Sequence, residues 1–128
     1  MSNPVSLALA FFAVLRAAAR VLALERDLPL PELVARLRRT RPDFLAGIDP
    51  RLVLGVAEAL LPFLPPYGAG RCVKRSLLLL DLWSRAGLAP SFHLGIRAAT
   101  RSGHAWITTS AGGASTFRPP DVSEAWRA

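Results

Sequence analysis

An α+β domain, helical first and closed by a small antiparallel sheet, is the fold class this sequence predicts. Three observations predict it. Apolar stripes at helical spacing run as far as Ala86, apolar–polar alternation takes over after Gly87, and 128 residues suit one core. The chain is therefore read as a single domain, residues 1–66 its helical part and 67–128 a cysteine-bearing helix with the sheet.

Taken in order, Pro4 opens a helix that runs to about Glu25, with Arg16 and Arg20 four apart on one solvent edge. Pro29 and Pro31 punctuate, and Leu30, Leu33, Val34 and Leu37 mark the stripe of a short second helix. Asp49-Pro50 has the form of an N-cap followed by proline at the first helical position. Leu52, Val56, Ala59 and Phe63 give a third stripe, which Pro62 should bend or end. A Pro- and Gly-rich loop from Leu64 to Gly70 precedes a fourth helix, Arg71 to Ala86, which Gly87 caps. Phe92, Leu94 and Ile96 then alternate with His93, Gly95 and Arg97 as a strand does. His104 to Thr109 reads as a second strand. Ala111-Gly112-Gly113 turns the chain, and Ala114 to Arg118 is expected to return as a third. From Pro119 a short, partly ordered tail is expected.

Composition narrows the function. A hydrophobic fraction of 52% argues for a packed fold and against disorder. Sixteen basic residues, all but Lys74 arginine, outweigh nine acidic ones, for a net charge of +7. The bases do not interleave with aromatics or follow a nucleic-acid-binding motif, so no nucleic-acid partner is expected. The run Arg36, Arg38, Arg39, Arg41 reads first as a solvated helix end and second as a surface for an acidic protein or peptide. One cysteine allows no internal disulfide and no Cys-rich metal site, and it fits a reducing cytoplasm. Val5 to Leu15 is apolar enough for a signal-peptide core but lacks basic residues ahead of it. It is read as a core helix able to lean on a partner or touch a membrane surface peripherally.

Chemistry points to Cys72. In the first turn of its helix a thiolate would meet unpaired backbone N–H groups and the positive end of the helix dipole. Arg71, Lys74 and Arg75 add positive charge, and Gly68-Ala69-Gly70 would let a peptide backbone approach. The competing reading is a small buried hydrophobe in a Leu-rich helix. A thiolate also needs a base, usually histidine. His93, between Phe92 and Leu94, points away from the core if they face it. His104, with Trp106 two positions on along the same strand face, is the better candidate.

The sequence Cys72-Val-Lys-Arg75-Ser76, the Leu-rich helix stopping at Gly87, the strand ending Leu94-Gly95-Ile96 and then His104-Ala105-Trp106-Ile107 resembles a known family. It is that of the bacterial transglutaminase-like, papain-like cysteine peptidases of lasso-peptide biosynthesis, in the stand-alone form without a leader-binding domain. The resemblance spans nearly the whole chain and is sharpest from Arg71 to Trp106. It implies a peptidase that cuts the leader from a ribosomally made precursor, with Cys72 as nucleophile and His104 as base. A separate leader-binding protein and an ATP-dependent lasso cyclase would be its partners, and no cofactor or metal is implied. The sequence departs from the family where an acid should orient the imidazole: Ala114-Ser115-Thr116-Phe117-Arg118 carries none. Asp121 can take that role from a displaced position, Thr116 or Ser115 can serve as a neutral partner, or the triad is weakened. The weakened case gives the alternative function, an inactive relative that scaffolds the cyclase or the leader-binding protein.

Overall fold

A computed structural model of the chain describes residues 4–64, 71–97, 103–109 and 122–128. Within these, four α-helices precede a three-stranded antiparallel sheet: α1 (Pro4–Glu25), α2 (Leu30–Arg38), α3 (Pro50–Leu60), α4 (Arg71–Arg85), β1 (Pro90–Arg97), β2 (Gly103–Thr109) and β3 (Val122–Arg127). Short 3-10 turns at Phe44–Gly47 and Leu61–Phe63 flank α3. The α+β class expected from sequence is the class observed.

Local chemistry sets most of the boundaries. Pro31 stands in the first turn of α2. The Asp49 side chain accepts from Arg51 N at 2.9 Å, and Pro50 opens α3. Pro62, which cannot donate its backbone nitrogen, tightens the end of α3 into the Leu61–Phe63 turn. Gly87 closes α4 at φ +77°, while Gly87 N and Leu88 N donate back to Ser84 O and Trp83 O at 3.1 and 3.0 Å.

α4 is the axis of the fold. Its ten residues from Ser76 to Arg85 are all buried, because α1, α2, α3 and two strands pack around it. α1 meets the core through Ala10, Ala13, Val14, Ala17 and Val21, a helical stripe of mostly small residues that permits close approach. Its bulky apolar residues Leu7, Phe11, Phe12 and Leu15 are left at the surface, Phe12 being 68% exposed.

Two expectations need correction. The buried stripe of α3 is Val53, Val56 and Ala57; Leu52 is half-buried, Ala59 is exposed, and Phe63 is 74% exposed. The helix is rotated by about one position because its packing against α1 and α4, and not its own apolar pattern, selects the buried face. The tail also pairs. Val122–Arg127 is β3, and the sheet order is β2-β1-β3, so β1 is central. Trp126 anchors β3 by meeting Phe92 edge-on with ring centroids 5.8 Å apart. The strand expected over 114–118 lies outside the described residues.

Pairing of Phe92 with Ile107 and of Leu94 with Ala105 puts these four residues on the face that joins the α4 core. By alternation Ser91, His93, Trp106, Thr108 and His104 occupy the other face.

Candidate functional site

Cys72 stands in the first turn of α4 and is half-buried. The charges expected around it are arranged differently from the sequence reading. Arg75 is paired with Glu58 at 3.1 Å. Lys74 is two residues on, which on a helix is a different face. Its side chain is buried, and no described residue accepts from Nζ. Burial pushes the Lys74 ammonium below its ordinary value, with Glu25 partly opposing.

A four-residue connection through Gly87 joins α4 to β1, and α4 packs against both β1 and β2. His104 is the second residue of β2 and is paired with Gly95. Its ring lies near Trp106, with centroids 6.3 Å apart, on the face opposite Ala105 and Ile107. The His104 imidazole thus stands on the sheet face turned from the core of α4, the helix that carries Cys72. Asp121, Ser115, Thr116 and the Gly68-Ala69-Gly70 segment lie outside the described residues.

The histidine that the sheet organises most fully is His93. It is only 6% exposed and stacks on Trp106, with centroids 5.2 Å apart and planes 4° from parallel. Its Nδ1 bonds the Glu124 carboxylate on β3, and its Nε2 meets Thr108 Oγ1 on β2 at 2.8 Å. A carboxylate only accepts, so Nδ1 carries a proton, and in the neutral ring Nε2 accepts from the threonine hydroxyl. Hydroxyl, imidazole and carboxylate stand in the order that nucleophilic hydroxyl sites use. Here all three are bonded to one another across three strands, and the chain of bonds works as a clasp on the sheet. Gly95 makes room beside it: a Cβ there would come 2.5 Å from Val122 Cγ1, 2.7 Å from Ser123 O and 2.9 Å from Trp106 Cζ3.

Sequence reading placed His93 on the outward face but expected an ordinary boundary residue. Glu124 stood out only as the next acid after Asp121 downstream of His104, and its pairing with His93, 31 positions away, was not expected in a segment taken for a tail.

No protein-family model, no curated protein and no solved structure matches this chain.

Proposed function

We propose that this protein is a cysteine peptidase of transglutaminase-like fold that removes the leader from a lasso-peptide precursor. Cys72 is the nucleophile and His104 the base, and a separate leader-binding protein and an ATP-dependent cyclase are the partners. The observation that carries the reading is the position of Cys72. It is the only cysteine in the chain, it stands half-buried in the first turn of α4, and α4 packs against β2, which begins with Gly103-His104.

In the proposed reaction the Cys72 thiolate attacks the carbonyl at the leader–core junction. The protonated His104 imidazole gives its proton to the departing amine, leaving a thioester. Water, deprotonated by His104, then releases the leader and regenerates the thiol. Backbone N–H groups at the start of α4 are suited to the developing oxyanion.

Mass spectrometry of precursor incubated with this protein and the leader-binding partner tests it. Cys72→Ala should abolish the cut while the far-ultraviolet circular dichroism and Tm stay near wild type. Cleavage that survives in Cys72→Ala would end the proposal.

One observation favours the scaffold reading instead: the His104 ring lies on the sheet face turned from the α4 core. An inactive scaffold predicts that Cys72→Ala leaves maturation by the assembled partners unchanged.

A further inference from the structure

A second charged site lies away from Cys72, where α1, α4 and the segment from Thr40 to Asp43 meet. They enclose a cavity of about 220 Å³ lined by Arg16, Arg20, Arg41 and Arg85 together with Thr40, Asp43 and Asp81. Four guanidinium groups face two carboxylates, so positive charge is in excess.

Both carboxylates are already committed. Arg20 Nη1 donates to Asp81 Oδ1 at 2.6 Å and to Thr40 Oγ1 at 2.8 Å. Arg85 Nε donates to Asp43 Oδ2 at 2.6 Å, while Asp43 N donates to Arg85 O at 2.9 Å and Leu45 N to Asp43 Oδ1 at 3.0 Å. Burial pushes the Asp81 carboxyl above its ordinary value, against the lowering effect of Arg20, Arg85 and Thr40. Arg85 has only 4% of its surface exposed, and no described residue accepts from its buried Nη2. Its guanidinium also lies over the Phe44 ring, 5.5 Å from the centroid, which holds this wall of the cavity in place. Arg16 and Arg41 stand exposed at the cavity.

We propose that this cavity binds a phosphate group, with Arg16 and Arg41 as donors and the Arg20–Thr40–Asp81 cluster and the Arg85–Asp43 pair as its fixed wall. Guanidinium groups brought to one cavity from α1, α4 and the connecting segment give it the charge to hold an oxyanion. Arginine is the side chain best matched to phosphate. The volume exceeds the roughly 30 Å³ share of one water several-fold, leaving room for the anion and its ester substituent.

Calorimetric titration of the full chain at constant ionic strength tests this, with inorganic phosphate, pyrophosphate and acetate as probes. Co-sedimentation with phosphatidic acid vesicles runs alongside. Arg16→Gln and Arg41→Gln change exposed side chains and should leave the fold intact, whereas Arg85→Gln also breaks the Asp43 clasp. Phosphate or pyrophosphate bound in preference to acetate, and weakened about tenfold by either exposed variant, would support a soluble phosphate ligand. Vesicle binding lost in the same variants, without soluble phosphate binding, would support a phosphate carried on a lipid. Equal affinity for acetate, indifference to both variants, or no binding to any probe overturns the proposal.

Discussion

His93 and Glu124 are joined across the β1–β3 seam, and through the same imidazole Thr108 ties β2 to both. One buried ring therefore holds the three strands together, sheltered by the parallel face of Trp106. Replacing His93 with Ala removes both bonds and the stacking partner, and should cost about 2–4 kcal/mol in urea unfolding. Glu124→Gln keeps the shape but loses the charge. It should cost only about 1 kcal/mol, since that carboxylate is partly in solvent. Equal losses for the two variants would show that the clasp does not run through the ring.

Gly95 makes a second demand on the same sheet. Gly95→Ala drives a methyl group into Val122, Trp106 and the Ser123 carbonyl. The strand most able to give way is β3, an edge strand. The expected outcome is a loss of about 1–3 kcal/mol, with faster amide exchange in 122–127 than in β2. Unchanged exchange in β3 would contradict the packing described.

Much of this architecture was legible because it rests on local chemistry. Proline and glycine punctuation marked the ends of α2, α3 and α4, and the alternation around Phe92 and Ile107 marked two strands. The buried face of α3 was misjudged because Leu52 and Val53 are equally apolar, and only the neighbouring helices choose between them. The third strand, the clasp and the arginine cavity depend on pairings far apart in sequence. Glu124 lies 31 positions from His93, and Asp81 lies 61 from Arg20, with nothing in either segment naming its partner. Cys72 was legible as a helix-start thiol, whereas the face of β2 on which His104 stands depends on which side of the sheet α4 covers.

Asp81 should leave a pH signature. Burial raises its folded-state pKa above the ordinary 3.8. The folded protein thus takes up this proton at a higher pH than the unfolded chain. Its contribution is most favourable below 3.8 and is lost as pH rises through the folded-state value. Asp81→Asn removes that dependence. Compared with the variant, wild type should gain stability in urea unfolding as pH falls from about 7 toward 4. A difference that stays flat or runs the other way would refute the assignment.

Phe12 makes the opposite kind of prediction. It is large and apolar, yet 68% exposed, with Phe11 beside it at 42%. Phe12→Ser should change unfolding free energy by no more than about 0.5 kcal/mol. It should also reduce concentration-dependent light scattering, because the patch exposed by α1 shrinks. A large loss of stability would mean that the ring is covered in solution.

The confinement of α4 has a last effect. A rod held on every flank from Ser76 to Arg85 cannot slide or tilt by itself, so a load on its first turn is borne by the whole molecule. A covalent adduct on Cys72 that presses inward should hasten complete unfolding, and one that sits comfortably should delay it. Neither should show as loosening confined to the neighbouring turn.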